Sequence, residues 1–89
     1  MANHAQAKKR NRQRITRTAR NRHVRTTMRN SVKRLRAHIA AGEPDAAKEA
    51  LSTAIKSLDK AVNKGILQRR TASRSISRLT VAVNKLANA

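Results

Sequence analysis

Ten of the 22 residues from Lys8 to Arg29 are Lys or Arg, and none is acidic. The chain of 89 residues carries 22 Lys and Arg against four acids, a formal net charge of +18. Ammonium and guanidinium groups bind phosphate oxygens through charge-assisted hydrogen bonds. The sequence therefore indicates the binding of a polyanion, and nucleic acid fits such a charge best. Phe, Tyr and Trp are absent, so bases cannot stack on aromatic rings, and recognition must depend on phosphates, shape and Arg geometry.

Other site chemistry finds little support in the sequence. His4, His23 and His38 lack the spacing of metal ligands, and no cysteine is present to complete a metal site. The four acids offer no acid–base pair, and no Gly-rich phosphate loop occurs. We expect no catalytic residue, metal, cofactor or small-molecule substrate. We also expect no export signal and no membrane association, since no apolar run approaches about 20 residues.

Gly and Pro divide the chain into three segments. Gly42 can end one helix and Pro44 can begin the next at its first position, where the missing N–H is not needed. Gly65 gives a second termination signal after Lys60 and Lys64. These signals predict a single domain, residues 1–89, with turns near residues 42–44 and 65–68.

Each segment has apolar residues at helical spacing, which predicts a buried face. The predicted faces are Val24, Met28, Val32, Leu35 and Ile39; Ala47, Leu51, Ile55, Leu58 and Val62; and Ala72, Ile76, Leu79, Val83 and Leu86. Short turns make neighbouring helices antiparallel. The predicted fold is all-α, an antiparallel up-down-up three-helix bundle with an elongated basic first helix.

The first helix, from about Ala7 to Ala41, changes character along its length. On a helical wheel its apolar face continues backwards into four guanidinium groups, those of Arg20, Arg17, Arg14 and Arg10. This half cannot pack on the bundle, because the charges would be buried without partners. We expect residues 1–23 to form a basic extension, disordered alone and helical when phosphates surround it, and residues 24–89 to form the bundle.

The remaining cations lie away from the apolar faces. Arg70, Arg74 and Arg78 are spaced four apart, and Lys85 follows on the same side of the third helix. Ser73, Ser75 and Ser77 lie along its flank and could donate to phosphates. The first helix adds Lys8, Arg12, Arg22, Arg25, Arg29, Lys33 and Arg36. All four acids belong to the second helix or its start, so we expect that helix to face away from the polyanion.

Several short motifs resemble one family. They are Met1-Ala2-Asn3, Ala7-Lys8-Lys9-Arg10, Asn21-Arg22, Met28-Arg29, Lys33-Arg34 and Lys64-Gly65-Ile66-Leu67, with Ala72, Arg74, Ser77 and Leu79 downstream. Together they resemble the bacterial small-subunit ribosomal protein S20 family along almost the whole chain. Gln68, Arg70 and Ser73 depart from the usual family residues.

The resemblance implies a structural constituent of the small ribosomal subunit, located in the cytoplasmic ribosome and making few protein contacts. It implies direct binding to 16S ribosomal RNA early in assembly, bridging the 5′ domain and the long 3′ minor-domain helix. Residues carried over as RNA-binding are Lys8, Lys9, Arg10, Asn21, Arg22, Arg29, Lys33, Arg74, Ser77 and Arg78.

Two other functions also fit the composition. A histone-like protein that compacts DNA could use the same basic extension. A short helical hairpin that binds another protein could carry the charges for solubility alone. A preference for folded RNA over duplex DNA at matched salt would count against the DNA-compacting function. Absence of any nucleic acid from the purified native protein would favour the protein-binding hairpin.

Overall fold

The protein is all-α, as predicted. The computed structural model describes residues 2–89, with side chains from residue 4 onwards, and contains three helices. They are α1 (Ala2–Ala40), α2 (Pro44–Asn63) and α3 (Arg69–Ala87). Among the described residues no strand is present. Helix α1 begins at Ala2 rather than near Ala7, because no residue in this stretch interrupts helical hydrogen bonding; its 39 residues span about 58 Å.

Gly42 ends α1 in the way that its position in the sequence predicts. Its φ of 72° is left-handed, a conformation that glycine adopts at low cost. The Gly42 N–H donates to the carbonyl of Ile39 at 3.2 Å, and the Glu43 N–H donates to that of His38 at 3.1 Å. This pair of bonds is a Schellman motif. Pro44 then begins α2.

Gly65 ends α2 with the same motif. Its φ is 73°, its N–H donates to the carbonyl of Val62 at 3.0 Å, and the Ile66 N–H donates to that of Ala61 at 2.9 Å. Ile66, at the position whose apolar side chain commonly packs on the last turn in this motif, is half-buried. Both turns are therefore set by local backbone chemistry.

The core includes residues of all three predicted apolar faces, each of which also holds half-buried members, and α2 adds two buried residues that the prediction omitted. The buried apolar residues are Val24, Leu35, Ala47, Ala54, Leu58, Ala61, Ala72, Leu79 and Val83. On α2 the prediction omitted Ala54 and Ala61, while Leu51, Ile55 and Val62 are only half-buried. Helix α2 lies between α1 and α3, so it needs two apolar sides, and its small alanines let a neighbouring helix approach closely.

One buried polar contact was not predicted. Ser31 is 8% exposed, and its hydroxyl donates to the carbonyl of Thr27 at 2.9 Å. The Ser57 hydroxyl lies 3.0 Å from Ser31 Oγ and can donate to it, because the Ser31 proton is already used. This pair joins α1 to α2 and satisfies both hydroxyl groups inside the interface.

The bundle is open on one side. Helix α2 packs along both α1 and α3, whereas α1 and α3 touch at few points. The described molecule measures 68 × 22 × 14 Å, and one helix with side chains is about 10 Å across. Helices α1 and α3 therefore lie on either side of α2 in the bundle, and a groove runs between α1 and α3.

Candidate nucleic-acid interface

The first part of the interface is residues 4–20 of α1, called the N-terminal segment below. Every residue in it is exposed, and the first buried residue among those whose side chains are described is Val24. The segment makes no side-chain hydrogen bond to α2 or α3; Arg14 donates to Asn11 at 3.2 Å and Thr16 to the Arg12 carbonyl at 3.1 Å. Its predicted binding residues are all accessible: Lys8, Lys9, Arg10, Arg12, Arg14, Arg17 and Arg20.

A second cationic surface continues along α1 where the bundle begins. Asn21 is half-buried, whereas Arg22, Arg25, Arg29 and Lys33 are exposed. Asn21, Arg22, Arg25 and Arg29 line one shallow depression with Thr18 and Thr26. The structure thus brings the predicted Asn21 together with three predicted arginines on a single accessible surface.

The predicted binding residues of α3 fall into two groups. Arg70, Arg74, Ser77 and Arg78 are all exposed. Arg78 lines the groove between α1 and α3 together with Arg36 of α1, whereas the other three do not. A residue on the side of α3 opposite its apolar face would point away from α1. Arg78 instead lies next to α1. Arg70, Arg74 and Arg78 were predicted to form one surface. In the structure Arg78 lies at the rim of the groove, and the other two lie on the outer side of α3.

Three more residues line the groove: the sequence had already placed Arg36 and Ser75 away from the apolar faces, and Thr71 is added by the structure. Arg36 and Ser75 line both halves of the groove, and Thr71 lines one half. Arg36 follows Arg29 by two helical turns, a spacing that places both on one side of α1. This signal was visible in the sequence. The position of Ser75 depends on how α3 packs, which the sequence does not give.

The acidic side chains lie apart from these surfaces. Asp45, Glu49 and Asp59 are exposed on α2, and Glu43 precedes it. The one close contact between a basic and an acidic side chain among the described residues joins His38 Nδ1 and Glu43 Oε2 at 3.4 Å, and both side chains are more than a third exposed. No acid lines the groove or the depressions on α1. The cations of the interface therefore lack partners in the described chain.

Two kinds of site find no counterpart in the part of the chain that the structure describes. No group of three or more His, Cys, Asp or Glu side chains could hold a metal ion there. None of the three helices is long and apolar enough to cross a membrane.

Fold and charge together define a class: an all-α protein with an extended cationic surface suited to a polyanion. The family described as Ribosomal protein S20 matches residues 2–84. Similar chains named small ribosomal subunit protein bS20 include that of Syntrophotalea carbinolica, 52% identical over 94% of this chain and 97% of the relative. That of Solidesulfovibrio magneticus is 52% identical over all of both chains, and that of Campylobacter jejuni is 48% identical over 98% of this chain and 100% of the relative.

The chain belongs to the ribosomal protein S20 family. The resemblance found in the sequence is thereby confirmed. Members of the family are structural ribosomal proteins and not enzymes, which agrees with the expectation that this protein is not an enzyme.

Proposed function

We propose that this protein binds 16S ribosomal RNA directly, supports its assembly in the small subunit, and bridges the 5′ domain and the 3′ minor-domain helix. The protein would then act in the cytoplasmic ribosome. The proposal names the 16S RNA as the polyanion that neutralises the interface. The RNA-binding residues it assigns are the predicted residues of the N-terminal segment, Asn21, Arg22, Arg25, Arg29 and Lys33 of α1, and Arg70, Arg74, Ser77 and Arg78 of α3, with Arg36, Thr71 and Ser75 from the groove.

The observation that carries the proposal is the N-terminal segment. It projects from the bundle as an exposed helix with cations on every side and no acid. Such a helix has like charges at i,i+4 and no apolar partner in the chain. Phosphates on several sides remove the repulsion, so the segment suits insertion between RNA helices better than contact with one flat surface.

Bridging is supported by the length of the molecule. The long axis is 68 Å, and the cations of α3 lie in the bundle, away from the projecting start of α1. One RNA segment can contact the N-terminal segment while another contacts the bundle. Two separate contacts on a stiff helix hold two RNA elements at a fixed spacing.

The proposal is tested by removing charge at two matched places. One variant changes Arg10, Arg14, Arg17 and Arg20 to Gln. Its control changes four exposed lysines to Gln: Lys48, Lys56 and Lys60 of α2, and Lys64, which follows it. Both lose four charges. We expect affinity for a bacterial 16S 5′-domain transcript to fall at least about 100-fold in the first variant, because several direct contacts are lost, and much less in the control.

Titration of the unchanged protein supplies the comparison between nucleic acids. At matched salt it should prefer the 16S transcript to duplex DNA of equal length. Equal or tighter binding to the DNA would favour a DNA-compacting function. Equal losses in the two charge variants would mean that net charge alone, and not the N-terminal segment, governs binding.

A further inference from the structure

The groove between α1 and α3 has an apolar floor. One half is lined by Met28, Val32, Leu58 and Leu67, and the other by Val32, Ile39, Leu79 and Ala82. Volumes of about 480 and 380 Å³ describe the two halves, and Val32, Arg36 and Ser75 line both. The halves therefore form one continuous groove. Each is in the range of about 300–1,000 Å³ typical of sites for small organic groups.

The rim of the groove is cationic. Arg29, Lys33 and Arg36 line it from α1, and Arg78 lines it from α3. The His38–Glu43 contact, the one close contact of a basic with an acidic side chain among the described residues, involves none of them. Ser75 is half-buried at the centre, and its hydroxyl takes no part in the side-chain hydrogen bonds that the structure shows. An apolar floor, a polar group and cations at the edge occur together.

We infer that the groove holds an unpaired nucleotide of the bound RNA, with the base against the apolar floor and its phosphates at the cationic rim. The inference rests on the proposed function and extends it from phosphate neutralisation to recognition of a base. Arg36 supplies a planar guanidinium group beside the floor, on which a base can stack. The Ser75 hydroxyl, which can both donate and accept, supplies a hydrogen bond to the base edge.

The combination of groups favours a nucleotide over paired RNA. A surface that only neutralises phosphates needs cations and no apolar floor. Paired RNA presents phosphates and riboses outside and keeps its bases stacked, whereas bulges and loops present bases that can enter a groove. An acidic helix from a protein would also match the charges, but the RNA that contacts the adjacent Arg25 and Arg29 already lies beside the groove under the proposed function.

The test fills the groove without changing the charge. Ser75→Leu places a large apolar side chain at its centre, and Ser52→Leu makes the same change at an exposed position on α2. We expect Ser75→Leu to weaken binding to the 16S 5′-domain transcript at least about fivefold, the lower end for a direct contact. Its affinity for a fully paired RNA duplex should be unchanged, and Ser52→Leu should bind both RNAs normally.

Folding and charge are checked on the same samples. Thermal melts confirm that each variant is folded, and Ala82→Leu, also in the groove, replaces Ser75→Leu if that variant does not fold. The dependence of affinity on salt should not change, because no phosphate contact is removed. If folded groove variants bind the transcript normally, the inference is overturned, because the groove then either stays empty in the complex or binds a protein. Failure of the unchanged protein to bind the transcript would instead contradict the proposed function.

Crosslinking locates the nucleotide directly. The chain contains no cysteine, so Ser75→Cys provides a unique thiol for a short photoreactive group. Crosslinks from position 75 should fall on an unpaired nucleotide, and the matched variant Ser52→Cys should give none there. Crosslinks confined to paired stems would overturn the inference.

Discussion

Leu79 and Arg74 occupy opposite sides of α3, and their substitutions should affect different properties. Leu79 is 6% exposed and belongs to the core formed with Leu35 and Val83. Leu79→Ala should reduce the free energy of unfolding by roughly 2–5 kcal/mol, as large-to-small changes in cores do. In so small a domain that change could unfold most of the free protein. Thermal or urea unfolding measures it.

Arg74→Ala should leave the melting temperature unchanged or slightly raised, since it relieves repulsion from Arg70 and Arg78 at i,i+4. Its effect should be seen in RNA titrations, as a loss of roughly 5- to 150-fold in affinity if the contact is direct. A variant Arg74→Ala that melts early yet binds RNA normally when folded would mean that the two sides of α3 have been assigned the wrong way round.

The N-terminal segment is an element whose helix depends on its surroundings. Among the described residues none buries any part of residues 4–20, so only local hydrogen bonds oppose the charge repulsion. Most helical stability in proteins comes from packing of an apolar face, which this segment lacks. We expect part of the segment to melt in the free protein at low salt. The circular dichroism signal of helix should then increase when the 16S transcript is added.

Hydrogen exchange assigns this change to residues. Amides of residues 4–20 should exchange quickly in the free protein and slowly in the complex. Those of residues 24–40, which include the core of α1, should be protected in both states and serve as the internal control. Slow exchange of the segment in the free protein would show that the helix needs no polyanion.

Electrostatics governs the molecule as a whole. The first 36 residues hold 13 Lys and Arg and no acid, and the interface spreads them over much of a 68 Å axis. The logarithm of affinity for RNA should fall linearly with the logarithm of salt concentration, with a slope of about −0.7 to −0.9 per neutralised phosphate. For about six to ten phosphates, affinity should drop roughly 10³- to 10⁵-fold between 50 and 200 mM salt.

A control raises the osmolality by the same amount with sucrose while the ionic strength stays constant. Affinity should then be nearly unchanged, which separates the screening of charges by salt from a general effect of solutes. Binding that persists when salt is tripled would contradict a phosphate-dominated interface.

Several features of this protein follow from local chemistry and were predictable from the sequence. Gly42 and Gly65 end helices because they adopt a left-handed φ cheaply, and Pro44 begins one because it needs no N–H donor there. The apolar spacing on α1 and α3 predicts which sides are buried. The N-terminal segment is exposed because its arginines occupy the face that is apolar downstream.

Other features were decided only by tertiary packing. A helical wheel gives directions around one helix axis but not the rotation of that helix against its neighbours. The apolar surface of α2 is broad enough to pack in more than one way, and the structure buries Ala54 and Ala61 more fully than Leu51 and Ile55. That choice sets where α1 and α3 lie around α2. The packing leaves α1 and α3 apart, with a groove between them. Arg78 and Arg36 line this groove together, and Ser75, on the flank of α3, lies at its centre.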